Sequence, residues 1–141
     1  MIRGSLGLVI TREHYHIMFQ DFLTSHPIYV YMLTTFGDII PQTSADFYYG
    51  FIYRIDCNGY FYIGKKQFLA GSSWKTYKSS SDDMKQLLKT NDGEYKVLEL
   101  AETKRQLTFL EVKYQFKYDC LENPMCLNKN ISGKFWRNKL K

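Results

Sequence analysis

From residue 50 onward, apolar and polar positions follow a pattern typical of β-strands. The stretch "GFIYRI" at 50–55 is rich in aromatic and β-branched residues, and "YFYIG" at 60–64 has the same texture. Between them stands Asn58-Gly59, a pair that favours a two-residue hairpin turn because both positions tolerate positive φ. The region therefore begins with a predicted β-hairpin.

Beyond the hairpin, the spacing of apolar residues predicts two helices separated by a strand. "DDMKQLLKT" follows Ser81, a suitable N-cap with acids in the first turn behind it. "YKVLELA" at 95–101 predicts a third strand. A longer helix is predicted over about 103–121, with Thr103 as N-cap and Pro124 as the residue that stops it. The order is β-β-α-β-α, followed by a basic, loop-like tail.

The first third of the chain has a different texture. Residues 1–49 contain all three histidines, two of the three prolines and apolar runs without a clean period, and "PQTSADF" at 41–47 is interpreted as a linker. The sequence thus predicts an N-terminal extension of unknown role over 1–49 and a separate domain over 50–141. His14 and His16 would lie on the same face of a possible strand and could form a pair of metal ligands. No third ligand stands at a spacing that supports a metal site.

Charge divides the chain at the same place. Residues 1–49 carry a net charge of −2, whereas 50–141 hold 17 Lys and Arg against 10 Asp and Glu. A polyanion such as nucleic acid is one explanation, and a charge that serves only solubility is the other.

An apolar fraction of 45% allows a packed core, and three cysteines favour reduced thiols. No run approaches the ~20 apolar residues of a membrane span, and no signal peptide is predicted, so a cytoplasmic protein is expected.

One carboxylate stands near the core side of the longer helix. At about 100° per residue, an apolar stripe forms along that helix, and Glu111 falls at its edge, roughly 40° around the helix axis from Leu107. The members of the stripe are Leu107, Leu110, Tyr114, Tyr118 and Leu121. A buried carboxylate is costly unless it is paired or binds a metal, but a residue at the border can also reach solvent. A second apolar group lies on the far side of the helix, so the sequence does not decide which face is buried. Its members are Phe109, Val112 and Phe116.

Tyrosines dominate the predicted hairpin. Tyr60 and Tyr62 share one face of the returning strand, and Tyr53 on the first strand is a cross-strand neighbour of that face. A phenol beside an ammonium group is a possible proton acceptor, because the positive charge favours the phenolate. Aromatic cross-strand packing explains the same residues without any chemistry.

The order of short motifs resembles the GIY-YIG nuclease superfamily. "GFIY" at 50–53 and "YIG" at 62–64 carry the first part of the resemblance, and "SSWKTYKSSS", "TFLEVKYQFKYDCL" and "LNKNISGKFW" follow at 72–81, 108–121 and 127–136. Together they are similar to the small GIY-YIG proteins of tailed bacteriophages that are described as homing endonucleases. The resemblance covers about 50–137.

The resemblance implies an α/β (α+β) fold in which a small three-stranded antiparallel sheet is flanked by helices. It also implies hydrolysis of DNA phosphodiesters with one divalent ion, Mg²⁺ or Mn²⁺, in the cytoplasm of a bacterial host. By position, Tyr53 would activate the attacking water, Tyr62 would position water and phosphate, and Lys65 would contact the catalytic phenol. Glu111 would bind the metal.

Later positions match further family roles. Tyr77 stands where members carry His or Tyr, and Asn128, with Asn130 as the alternative, matches an asparagine near the phosphate. Many members also carry an arginine that neutralises the scissile phosphate, and that position is Ser73 in this chain. Lys66 and Lys75 are the candidates to replace it, although a lysine cannot form the bidentate arginine fork.

Three functions remain open at this stage. The first is a GIY-YIG DNA endonuclease, and the second is a catalytically degenerate DNA-binding protein of the same fold. The third is a phage protein that binds other proteins through its N-terminal part. Lys134 in the basic tail is a further candidate for DNA contact. Because only about five residues follow "GKFW", too few for a recognition domain, sequence specificity is expected either to be low or to come from a homodimer or a separate specificity partner.

Overall fold

A hairpin of two eight-residue strands forms the centre of the fold. In this computed structural model, which describes residues 35–69 and 73–139 and the backbone of 2–3 and 9–10, the strands are β3 (Gly50–Cys57) and β4 (Tyr60–Gln67). Asn58 and Gly59 join them with φ of 52° and 84°, so the predicted turn is confirmed. β3 also pairs antiparallel with β5 (Glu94–Ala101), which gives the sheet order β4-β3-β5.

Helices and short strands complete the described part of the chain. The remaining elements are β1 (Ile2–Arg3), β2 (Val9–Ile10), α1 (Phe36–Ile39), α2 (Ser44–Phe47), a 3-10 helix at Ser73–Thr76, α3 (Asp82–Leu88), α4 (Lys104–Lys117), β6 (Asn130–Ile131), β7 (Phe135–Trp136) and a 3-10 helix at Arg137–Lys139. The predicted order β-β-α-β-α is confirmed for β3, β4, α3, β5 and α4. Within these residues, no helix is long and apolar enough to cross a membrane.

Both predicted N-caps are present. The side chain of Ser81 accepts from the Met84 amide at the start of α3, and that of Thr103 accepts from the Gln106 amide at the start of α4. Each cap satisfies an amide that has no partner inside its helix.

The end of α4 differs from the prediction. The helix ends at Lys117 rather than at 121, because Asp119 adopts φ 55° and the Cys120 amide donates back to the Gln115 carbonyl, 2.9 Å away. This left-handed cap ends the helix before Pro124 is reached. The tail is also not a plain loop: β6 and β7 form a small hairpin across Ser132 and Gly133, both at positive φ.

The two faces of the sheet are covered by different parts of the chain. One face carries Phe51, Tyr53 and Ile55 and packs against Phe36, Trp74 and other buried side chains. The opposite face carries Ile52, Phe61 and Ile63 and packs against α4 through Leu107 and Leu110. β3 is therefore buried on both sides, which explains its nearly unbroken apolar sequence.

The predicted boundary at residue 49 does not match the packing. Phe36 is fully buried, with its ring centroid 5.2 Å from that of Tyr53 and 5.0 Å from that of Tyr95. Without α1, this face of the central strand would be open to water. The interpretation of 41–47 as a linker is also wrong for Ser44–Phe47, which form α2. The core thus extends at least to residue 36. His14 and His16 lie outside the described residues.

Candidate active site

A cleft of about 390 Å³ opens beside β4, the strand at one edge of the sheet. Tyr62 and Ser80 line one side, Glu111 and Gln115 of α4 line the other, and Asn128 lies between them. Strand β4 supplies the tyrosine and α4 the carboxylate, so the cleft depends on packing α4 against the sheet. Three of the residues expected at the site, Tyr62, Glu111 and Asn128, meet in this cleft.

The edge of β4 is closed by a following loop and not left free. The Phe61 amide donates to Met125, and the Leu127 amide donates to Phe61, at 3.0 and 2.8 Å. Beyond them, the Asn128 side chain continues the ladder: its Oδ1 accepts from the Ile63 amide and its Nδ2 donates to the Ile63 carbonyl, at 3.0 and 2.8 Å. An open strand edge invites aggregation, and this loop removes that risk. Asn128 is therefore a structural side chain as well as one that lines the cleft.

Tyr53 lies behind the cleft with its hydroxyl unpaired. Its ring centroid is 6.2 Å from that of Tyr62 and 5.8 Å from that of Tyr77, which confirms that Tyr53 and Tyr62 share a face. The hydroxyls of Ser79 and Tyr77 are close, yet among the described residues none completes a hydrogen bond of normal geometry with the Tyr53 hydroxyl. A buried polar atom without a partner is uncommon and requires an explanation.

The protonation of the two phenols follows from their burial. Burial raises the pKa of Tyr53 well above its usual value, and the neighbouring phenols Tyr77 and Tyr62 raise it further. Burial also raises the pKa of Tyr62, although the hydrogen bond to Ser80, with 2.9 Å between the oxygens, opposes this. Both side chains are therefore neutral phenols near pH 7. Either one would need a nearby cation to act as a base.

Lys65 and Lys66 lie on opposite faces of β4 because strand residues alternate. The Lys65 amine lies 3.8 Å from a Glu111 oxygen and donates to the Thr108 hydroxyl at 3.2 Å. The Lys66 amine lies over the ring of Tyr77, 4.5 Å from its centroid. The structure thus pairs Lys65 with the carboxylate and not with a phenol, and the lysine on the tyrosine face is Lys66.

Glu111 is a partly desolvated carboxylate. Its side chain is 20% exposed, and burial raises its pKa above the usual range, while the Lys65 ammonium group acts in the opposite direction. One helical turn later, Gln115 presents a buried Oε1 that has no hydrogen-bond partner in the described part of the chain. Its Nε2 donates to the Ile63 carbonyl at 3.0 Å, which fixes the orientation of the amide. Two oxygens on one face of α4 are therefore available for a ligand.

The remaining predicted residues are distributed around this cleft. Asn130 lines it, and its Oδ1 accepts from the Gly133 amide at 2.9 Å. Lys134 is exposed in the turn between β6 and β7, next to that glycine but not in the cleft wall. Lys75 lies on the 3-10 helix, its amine 5.9 Å from the Trp74 ring centroid, and does not line the cleft. Of the two lysines considered as replacements for the missing arginine, only Lys66 contacts the site tyrosines.

Sequence reasoning missed Ser80 and Gln115. Gln115 follows Glu111 by four residues, so helical geometry alone places both on one face, and this spacing was a usable signal. Ser80 carried no comparable signal, because its contact with Tyr62 spans 18 residues and depends on how the loop before α3 folds.

The hairpin with its two neighbouring tyrosines, the sheet order and a cleft that holds the α4 carboxylate Glu111 define an α+β protein of the GIY-YIG nuclease class. The family model described as "Putative endonuclease segE, GIY-YIG domain" matches residues 29–131, and the chain belongs to this family. The match begins well before residue 50, in agreement with the packing of α1 into the core. No curated protein and no solved structure matches the chain.

Proposed function

We propose that the protein is a metal-dependent DNA endonuclease that cuts phosphodiester bonds in the cleft between Tyr62 and Glu111, as a phage homing-type enzyme would. The observation that carries the proposal is the convergence of a desolvated carboxylate, an unpaired amide oxygen and two phenols at one edge of the sheet. The desolvated carboxylate, the unpaired Gln115 oxygen and the unpaired Tyr53 hydroxyl each cost stability in the absence of a ligand, and a polar ligand in the cleft would offset that cost.

The donor set suits a hard divalent cation. Mg²⁺ prefers oxygen ligands and retains several waters, so one carboxylate can hold it together with substrate oxygens. Among the described residues, no three His, Cys, Asp or Glu side chains form a closed metal site. Glu111 lines the cleft with Tyr62, and its charge raises the pKa of that phenol. In this proposal Glu111 holds the ion directly, and Gln115 Oε1 accepts a hydrogen bond from one of its waters. When bound, Mg²⁺ or Mn²⁺ would stabilise negative charge on the phosphate.

The side chains of the chain itself have separate roles in the proposal. Tyr62, held by Ser80, orients water and phosphate at the cleft wall. Once a cation in the site lowers its pKa, Tyr53 would lose its hydroxyl proton to solvent and, as the phenolate, accept a proton from the attacking water. Lys66, whose amine lies over the Tyr77 ring, supplies positive charge on the tyrosine face. It takes the place of the arginine that many family members carry at the position of Ser73. Asn128 keeps β4 in register and directs its amide toward the cleft.

Plasmid cleavage tests the proposal. Supercoiled DNA should be nicked or linearised by the wild-type chain with Mg²⁺, not with excess chelator, and not by Glu111→Gln. Glu94→Gln is the matched control, because Glu94 pairs with Lys96 at the far end of the sheet, and it should cleave as wild type does. Equal, zero cleavage by all three proteins, with DNA binding retained, would support the degenerate DNA-binding protein instead.

A further inference from the structure

The excess of positive over negative charge lies at the C-terminal end of the chain. Residues 123–141 contain five Lys and Arg and no Asp or Glu, which equals the formal net charge of +5 for the whole chain. The first 122 residues are therefore neutral overall. Arg137 is not available to a ligand, because its guanidinium donates to the carbonyls of Asn123, Cys126 and Asn128. Lys134 and Lys139 remain exposed.

Large aromatic side chains are exposed within this basic segment. Phe135 and Trp136 of β7 are 49% and 40% exposed, and Phe116 on the adjoining face of α4 is 54% exposed. The rings of Phe116 and Phe135 meet edge to face with centroids 5.9 Å apart. The Trp136 indole is oriented by its Nε1, which donates to the Gly133 carbonyl at 3.2 Å. The rings are thus presented in fixed positions while their faces stay in water.

A shallow recess connects these rings to the cleft. It has a volume of about 120 Å³, and apolar side chains such as Phe116 and Phe135 line it together with the acidic Asp119 and Glu122. Gln115 borders both the recess and the cleft. On the same β6–β7 hairpin, Ser132 and Gly133 line the cleft. A nucleic-acid strand that leaves the cleft over this hairpin would meet the aromatic rings within a few nucleotides of the site.

We infer that the β6–β7 hairpin and Phe116 form a binding site for unpaired nucleobases, in which bases stack on Phe116, Phe135 and Trp136 while phosphates contact Lys134. Exposed aromatic rings beside lysines are the arrangement that single-stranded nucleic acid recognises, since every base has a stacking face. Bases inside a duplex have no free face, so the ligand is a strand that is single or locally opened. The exposed lysines of the hairpin and the tail, Lys134 and Lys139, favour a polyanion over an apolar protein partner, and phosphates are expected on their side rather than beside Asp119 and Glu122. The inference rests on the proposed function for its position beside the cleft, but stacking itself does not require cleavage.

Tryptophan fluorescence tests the inference directly. The chain has two tryptophans, and Trp74 is fully buried, so a change on adding DNA reports on Trp136. Oligothymidylate titrated into Glu111→Gln protein should quench the emission, and a closed hairpin duplex with the same number of phosphates should quench it far less. Phe135→Ala should weaken oligothymidylate binding at least about 5-fold, since stacking contributes ~1–3 kcal/mol per base. Phe109 is also an exposed phenylalanine and lies two helical turns before Phe116 on α4. Phe109→Ala is therefore the control, and it should bind oligothymidylate as the parent protein does.

Three outcomes would overturn the inference. Phe135→Ala could bind oligothymidylate as tightly as Phe109→Ala, or lose single-stranded and duplex affinity equally. Sedimentation could also show a dimer that only Phe135→Ala dissociates, in which case the rings form an interface between copies of the chain. If oligothymidylate quenched the fluorescence but the wild type did not cleave plasmid, the base-binding site would stand and the proposed nuclease function would be refuted. If the wild type cleaved plasmid without any quenching, the nuclease function would stand and the base-binding site would be refuted.

Discussion

The hydroxyl of Tyr53 lies directly over Gly64 on the neighbouring strand, where the two residues are register partners. A Cβ on Gly64 would lie 2.5 Å from that hydroxyl oxygen and 2.9 Å from a ring carbon of Tyr62. The glycine of "YIG" is therefore required because two phenol rings occupy the space that any other side chain needs. The two tyrosines and the glycine form one structural unit.

Gly64→Ala should accordingly displace the phenols. One contact is with the fully buried Tyr53 phenol and the other with the ring of Tyr62, so neither relaxes at low cost, and overpacking of this kind destabilises by about 1–3 kcal/mol. Urea denaturation should show the loss of stability, and cleavage should fall more steeply than the folded fraction explains. Wild-type cleavage by a fully folded Gly64→Ala protein would contradict the proposed role of the phenol positions.

Tyr53→Phe should separate stability from activity. The Tyr53 hydroxyl is buried and unpaired within the described structure, so its removal should leave stability unchanged or raise it, by up to about 1–3 kcal/mol. Plasmid cleavage should be lost while DNA affinity remains. Tyr95→Phe is a suitable control, since Tyr95 packs on the same face, beside Phe36, but away from the cleft. If Tyr53→Phe cleaved normally, Tyr53 would have no part in activating water.

Ser79 adopts a backbone conformation that favours glycine. Its φ is 125°, it is buried, and its hydroxyl accepts from the Ser81 amide at 3.0 Å. Ser79→Gly relieves backbone strain of about 1–3 kcal/mol, whereas Ser79→Ala retains the strain. Both lose the hydroxyl, so the glycine variant should be the more stable of the two in thermal or urea unfolding. An alanine variant as stable as the glycine variant would show that this loop is not strained.

Local signals predicted the elements of this fold well. Asn58-Gly59 predicted the hairpin, and Ser81 and Thr103 predicted helix starts, because turns and caps depend on residues a few positions apart. The role of Phe36 could not be predicted in this way, since its place in the core depends on β3 and β5, which come later in the chain. The contribution of residues before position 50 to the core is non-local for the same reason.

Predictions for the site had a similar limit. Strand alternation places Tyr53 and Tyr62 on one face of the sheet and Lys65 on the opposite face beside Glu111, whereas the family resemblance implies a contact between Lys65 and the catalytic phenol. The pairing of Asn128 with Ile63 joins positions 65 residues apart, and no local pattern indicates it. The family resemblance supplied residue identities, whereas the contacts between them required the fold.

Lys65 and Lys66 should affect different properties of cleavage. The Lys65 ammonium group lowers the pKa of Glu111, so Lys65→Met should raise that pKa further. Because the metal requires the carboxylate, the acid side of the pH–rate profile should shift to higher pH. Lys66→Met leaves the Glu111 pair intact and should reduce the rate at all pH values without that shift. Profiles of the two variants under identical salt test the difference, and the same displacement in both would argue against separate roles.

Glu111 also links stability to pH, with the opposite sign from a salt-bridged acid. Its pKa is raised on folding, so the ionised side chain destabilises the fold, and stability is lost as the pH rises through the unfolded and then the folded pKa. Glu111→Gln should therefore unfold at higher urea than wild type near neutral pH, and the advantage should vanish in acid. Added Mg²⁺ should stabilise wild type but not the variant. A variant less stable than wild type at neutral pH would mean that the pair with Lys65 outweighs the cost of burial.

Gln115→Leu tests whether the unpaired amide oxygen serves a ligand. The Ile63 carbonyl also accepts from Asn128, so loss of the Gln115 amide leaves no buried acceptor without a partner there. The Leu variant should therefore be about as stable as wild type. Its cleavage rate should need a higher Mg²⁺ concentration to reach half its maximum, because a hydrogen bond to metal-bound water is lost. Gln106→Leu is the control, since Gln106 lies at the start of α4 outside the cleft and its side chain bonds the Glu102 amide. An unchanged Mg²⁺ requirement in Gln115→Leu would assign the unpaired oxygen no role in metal binding.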